Sequence, residues 1–140
     1  MKKMNKKGFT LIEMLVVIAI IAVLVSIVVP TVSAATKKAQ AATDAANLRS
    51  LAAEAAIDYL DDNDLDNTYT ATSKLLSGAS VEIHKDANGN INAVFVSDNK
   101  YYDVNSFSTV ASEGKDIVAA TGYSATTKLY PAAANNNQQQ

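Results

Sequence analysis

The sequence predicts an α+β fold: a long N-terminal helix whose C-terminal half packs on a three- to four-stranded antiparallel sheet. Three observations carry this expectation. Of the 22 residues from Phe9 to Pro30, 18 are apolar, and from Met14 to Val29 the one polar residue is Ser26. Of the 23 residues from Ala34 to Ala56, 11 are alanine, the best helix former, and no Gly or Pro interrupts them. Beyond residue 80, short runs alternate apolar and polar around Asn-Gly and Asp-Asn pairs, the period and turn chemistry of β-hairpins. The mean hydropathy of +0.04 averages over these unlike parts and describes none of them.

Composition narrows the function classes. The chain has 140 residues, 12 basic and 14 acidic, with one His and no Cys. No disulfide framework or thiolate chemistry is available, and one histidine leaves little for a metal cluster or for acid–base catalysis at neutral pH. No P-loop, dinucleotide-binding glycine pattern, H-E-x-x-H or G-x-S-x-G occurs. The chain reads as a non-enzyme with no cofactor. Residues 39–140 carry six scattered basic residues, so no nucleic acid is expected on that part.

Residues 1–8, MKKMNKKG, hold four lysines and no acid, and the apolar run of residues 9–30 follows. As a helix that run would be roughly 33 Å long, enough for a hydrocarbon core of about 30 Å. The lysines would stay in the cytoplasm and the bulk of the chain would be exported. Glu13 does not suit a plain anchor, because an ionised acid inside a membrane segment costs about 2.5–3.5 kcal/mol and calls for a partner. A cut between Gly8 and Phe9 would supply one: the new amine of Phe9 lies four residues before Glu13, one helical turn away. A conventional secretory signal cut near Val32-Ser33-Ala34 is the competing reading, and it would have to tolerate Glu13.

The string Lys6-Lys7-Gly8-Phe9-Thr10-Leu11-Ile12-Glu13 resembles the signal of type IV prepilins and pseudopilins: a basic leader, Gly, Phe, then Glu at the fifth mature position. The resemblance is strong over about the first 30 residues and is closest to a cysteine-free major pilin. It implies a pilin-like fold. It also implies cleavage after Gly8 by a membrane prepilin peptidase and methylation of the amino terminus of Phe9 to N-methylphenylalanine. Glu13 would be the residue that registers subunits during assembly. Pro30 falls where such pilins commonly bend their helix. The implied partners are further copies of the chain in a helical filament, the prepilin peptidase, the assembly platform with its ATPase, and the cytoplasmic membrane before assembly. The implied location is a single-pass membrane protein that becomes an extracellular surface filament used in adhesion or motility. A pseudopilin of a type II secretion or DNA-uptake system shares the same signal. A secreted or anchored binding module is the reading from another class.

Pro30 lacks an N–H and crowds the preceding turn, so a helix running through it should bend or loosen near Val25–Pro30. Residues 31–60 form the second helical half, with Leu48, Leu51, Ala52, Ala55, Tyr59 and Leu60 on one face. Asp58, Asp61, Asp62, Asp64 and Asp66 oppose the helix macrodipole and should end it. Asp62-x-Asp64-x-Asp66 has the spacing that opens a calcium loop, but Asn67 stands where the loop needs Gly and Ser73 where it needs Glu. A solvated acidic loop is the simpler expectation, with Asp62, Asp64 and Asp66 a weak metal candidate.

Residues 61–130 form the head. Strands are expected at Val81–Lys85, Ile91–Val96 and Lys100–Val104, with an edge strand within Tyr123–Tyr130 and short helices near Ser73–Leu76 and Glu113–Ala120. Without cysteine, the closing region must be held by packing and hydrogen bonds alone. His84 reads as an ordinary strand residue. Residues 131–140, Pro-Ala-Ala-Ala then Asn and Gln, have the composition of a disordered tail.

Overall fold

The computed structural model describes residues 8–62, 65, 68–123 and 126–131. The architecture is α+β and pilin-like: a long helix, α1 (Leu11–Asp62), and a four-stranded antiparallel sheet with a second helix. The chain divides into two compact units, Met1–Ala35 and Thr36–Gln140.

In the first unit every residue from Gly8 to Ala35 is exposed. Its helix is built mainly from Ile, Val, Leu and Ala. Pro30 lies inside α1. Its ring nitrogen removes the donor that would meet the Ser26 carbonyl. The next residue, Thr31, turns its hydroxyl back onto the carbonyl of Val28 at 2.8 Å.

In the second unit the strands are β1 (Ser80–Lys85), β2 (Ile91–Ser97), β3 (Lys100–Tyr102) and β4 (Thr127–Tyr130). Their spatial order is β3-β2-β1-β4, all antiparallel. The register sets Val81 opposite Phe95 and Ile83 opposite Ala93. Since side chains alternate faces, these four share one side, and all four are buried. They meet Ala45, Leu48, Leu51 and Ala55 of α1, with Phe107 completing the core. The helical positions recur at spacings of three and four, the stripe expected of a helix on a sheet. Leu60 does not join them and is 85% exposed. At 100° per residue, it lies about 180° around the helix from Leu51, outside the packed stripe.

A helix forms where a strand end was expected. Val104 opens α2 (Val104–Glu113) rather than closing β3. The residues between are poor helix formers, and the capping decides the matter. The Asp103 carboxylate accepts from the Ser106 amide at 2.9 Å, and Gly114 ends the helix in the left-handed region with its N–H on Val110. Phe107 and Val110 then fall on one buried face. Residues 114–119 beyond it lack regular structure, so the helix expected over Glu113–Ala120 is displaced upstream. Residues 73–76 are likewise a non-helical turn. The edge strand within Tyr123–Tyr130 is present as β4. The tail expected to be disordered lies outside the described residues apart from Pro131.

Asp44 explains that turn. Its side chain is fully buried in the apolar stripe of α1, between Ala41 and Leu48. It accepts from the Ser73 hydroxyl at 2.6 Å, the Lys74 amide at 2.7 Å and the Leu75 amide at 3.0 Å. The Ser73 hydroxyl accepts in turn from the Leu76 amide at 2.9 Å. One carboxylate therefore gathers the free amides of the loop that leads into β1, which satisfies the requirement that a buried acid be fully hydrogen-bonded.

Candidate functional site

The sequence points to Gly8, Phe9 and Glu13, at the start of α1. Gly8, Phe9 and Thr10 precede the helix, and all are exposed. Thr10 is its N-cap. Its hydroxyl accepts from the Glu13 amide at 3.3 Å, while its own amide donates to Glu13 Oε2 at 2.8 Å. The Thr10 hydroxyl also lies 2.9 Å from the same oxygen. This reciprocal pairing is a capping box, which satisfies two of the backbone donors that a helix start leaves open. The T-x-x-E spacing of Thr10 and Glu13 is its signature in the sequence. Glu13 also sits in the first turn, where the helix dipole favours a negative charge.

The remaining polar side chains of the apolar stretch follow the same rule. The Ser26 hydroxyl donates to the Val23 carbonyl at 2.7 Å and the Thr31 hydroxyl to that of Val28. Thr10, Glu13, Ser26 and Thr31 are thus each met within their own helix, the condition for burying polar groups where no water reaches. Around them Leu11, Ile18, Val23 and Ile27 are more than 60% exposed. A shallow apolar groove runs along Leu15, Val16, Ala19, Ile20, Val23 and Leu24, and another begins at Ile12 and Glu13. α1 is the one described helix long and apolar enough to cross a membrane.

Among the described residues, a Cβ at Gly8 would meet nothing within 4 Å.

The weak metal candidates do not assemble into a described site. Asp62 is the last residue of α1, and Asp64 and Asp66 lie outside the described residues. Among the described residues no group of three acidic or histidine side chains is placed to hold a metal ion. Asp58, at the head of the acidic run, accepts from the Tyr69 hydroxyl.

Residues 3–29 match the family model of the prokaryotic N-terminal methylation motif, the prepilin-type signal of type IV pilins and pseudopilins. The match bears on the N-terminal segment, residues 3–29 of the 140. No curated protein and no solved structure matches the chain.

Proposed function

We propose that this chain, which carries the prepilin-type signal, is the structural subunit of a type IV pilus. It is cut after Gly8, methylated on the amine of Phe9, and polymerised through its N-terminal helix into a surface filament for adhesion or motility. The observation that carries this reading is the conjunction of the motif with an exposed apolar helical segment in which Thr10, Glu13, Ser26 and Thr31 are each met by hydrogen bonds within the helix. Such a helix needs an apolar environment. Lipid supplies it to the precursor, and the helices of sister subunits supply it in the filament.

Glu13 has two successive roles on this reading. Before assembly the capping box holds its carboxylate against Thr10. After the cut, the Phe9 amine appears one residue before Thr10, and the carboxylate of a neighbouring subunit pairs with it, so that both charges enter the filament core neutralised. The apolar residues 9–30 form the core, and Pro30 gives the helix a point at which to bend as subunits pack. The assembly platform and its ATPase would draw the subunit from the cytoplasmic membrane with the head outside.

The test is the mature amino terminus. Sequencing and intact mass should give a chain beginning at Phe9 and one methyl group heavier than the bare peptide. A start near Ala35 would show a conventional secretory signal instead. Gly8→Val should leave the precursor uncut. Electron microscopy then separates long surface filaments, expected of a pilus subunit, from their absence, expected of a pseudopilin.

A further inference from the structure

β3 stops before it has covered its neighbour. β2 runs from Ile91 to Ser97, yet β3 pairs only with Phe95, Val96 and Ser97. The turn between the two strands is Asp98-Asn99, both at positive φ, the type I′ hairpin turn, which makes Ser97 and Lys100 a hydrogen-bonded pair. Bonded pairs alternate with non-bonded ones, so Phe95 and Ala93 also turn their N–H and C=O toward the β3 side. The other edge agrees. At the β1–β2 turn the Asp86 amide donates to the Asn90 carbonyl at 3.0 Å, and alternation from there gives Asn92 and Val94, not Ala93, to β1. Tyr102 stands opposite Phe95, and at Asp103 the chain leaves the sheet for α2. The N–H and C=O of Ala93 therefore have no partner among the described residues, although Ala93 is only 2% exposed. Backbone groups placed like this are paired in the great majority of folded chains.

A cleft of about 260 Å³ lies along this edge, where a longer β3 would run. Arg49 and Ala52 of α1 line the side that Ala93 faces, and Asn92 and Tyr123 line the other. Asp103 stands at the end where β3 departs. Its Oδ1 accepts from the Ser106 amide at 2.9 Å and the Ser106 hydroxyl at 3.2 Å, and its second oxygen has no hydrogen-bond partner among the described residues. On the α1 wall one Arg49 nitrogen donates to the Ser108 hydroxyl at 3.2 Å, which leaves the rest of the guanidinium fork open. The slot thus offers a main-chain donor and acceptor along one side, a carboxylate oxygen at its end and a cation on its wall.

We infer that this slot binds the extended amino end of a partner polypeptide, which continues the sheet beside β2 by pairing its main chain with Ala93. Strand addition of this kind draws affinity from main-chain bonds and selectivity from alternate side chains. The direction follows from β3. A segment that takes up where β3 leaves off runs antiparallel to β2, so its first residue lies at Asp103 and its ammonium meets the free carboxylate oxygen. The residue paired with Ala93 turns its side chain to the same face as Ala93, toward α1. There Arg49 favours an acidic side chain, and Ala52 leaves room for it. Main chain suits the slot better than a sugar does, because the donor and acceptor of one strand residue have the spacing of a β-ladder.

The experiment uses the full chain, ¹⁵N-labelled in detergent micelles, and the synthetic peptide Glu-Val-Glu-Val amide. In the free chain the Ala93 amide should exchange with solvent about tenfold faster than those of Asn92 and Val94, which the β1 ladder holds. Equal protection of all three would show the edge already paired and overturn the inference. The peptide should shift the Ala93 amide saturably and slow its exchange, and its N-acetylated form should bind about tenfold more weakly for want of the ammonium. No shift, an equal response to the acetylated form, or a shift produced instead by the neutral disaccharide lactose would each overturn it. Ala52→Phe fills the slot from the α1 wall and should abolish the response. Arg49→Ala, at an exposed side chain, should weaken binding about fivefold and leave the rest of the spectrum in place. A response that either variant leaves unchanged places the peptide elsewhere, and the inference fails.

Discussion

Two acids sit on apolar stripes of the same helix, and their surroundings are opposite. Glu13 is exposed, and its donors come from Thr10, three residues away. Asp44 is fully buried, and its donors come from residues 29 to 31 positions further along the chain. The first acid is satisfied before any tertiary structure exists, so on the proposed function it is free to change partner when subunits meet. The second is satisfied only by the finished fold and can serve only that fold. The two halves of the helix repeat the contrast: residues 11–35 offer Ile, Val and Leu to whatever covers them, whereas Ala45, Leu48 and Ala55 are already covered by the sheet.

The largest effect that tests this contrast is on assembly. Glu13→Ala should be cleaved normally and leave head stability unchanged, yet yield few or no filaments on electron microscopy. Filaments at the parental level would break the assignment of a transferable partner to this acid. A lowered denaturation midpoint of the head would break the contrast itself, because Glu13 would then be structural.

Asp44→Ala should do the reverse. It strands the Ser73 hydroxyl and the Lys74 and Leu75 amides, each worth on the order of 1–3 kcal/mol when left unsatisfied in a buried place. Water reaches Lys74, so we expect a loss of about 3 kcal/mol in denaturant unfolding, with cleavage after Gly8 unaffected. Asp44→Asn retains an acceptor and should recover part of that loss.

What could be read from the sequence follows the same division. The apolar run, the N-terminal methylation motif, the helical half and the three meander strands depend on local patterns, and they were legible. Asp44 was not, because nothing in the sequence distinguishes an acid on an alanine stripe from one on a solvated face until Ser73 comes round to meet it. Helix α2 was missed because its Ser, Thr and Asn residues favour turns, and its caps, Asp103 and Gly114, announce a helix only once read as a pair. His84 was correctly placed on a strand. Its contact with Thr126, 42 residues away, depends on the finished fold. The capping box at Thr10 was legible and was passed over. Of the site residues, only the local ones could have been found in advance.

A smaller effect is expected at Gly114. Its φ is +71°, and an added Cβ would approach Lys38 Cε to 2.8 Å. The lysine end is flexible and can move aside, giving up its long bond to the Ser112 carbonyl at 3.4 Å. The backbone cannot change sign without losing the cap, so Gly114→Ala should cost about 1 kcal/mol of head stability by thermal unfolding. An unchanged midpoint would mean that α2 ends by packing alone.

The smallest effect sharpens the contrast most. In the capping box, the Thr10 hydroxyl touches both the Glu13 amide and its carboxylate, while the Thr10 amide binds the carboxylate independently. Thr10→Ser keeps every one of these bonds and should assemble like the parent. Thr10→Val keeps the shape and the amide bond but deletes the hydroxyl, so the carboxylate is held by one donor and the first turn frays. If Glu13 is presented to its neighbour from the capped position, filament yield from Thr10→Val should fall a few-fold while cleavage and head stability stay constant. Restoration by serine would assign the effect to the hydroxyl rather than to bulk. Equal yields from all three would mean that the carboxylate finds its partner without being held first, and the local satisfaction of Glu13 would then matter only for its time in the membrane.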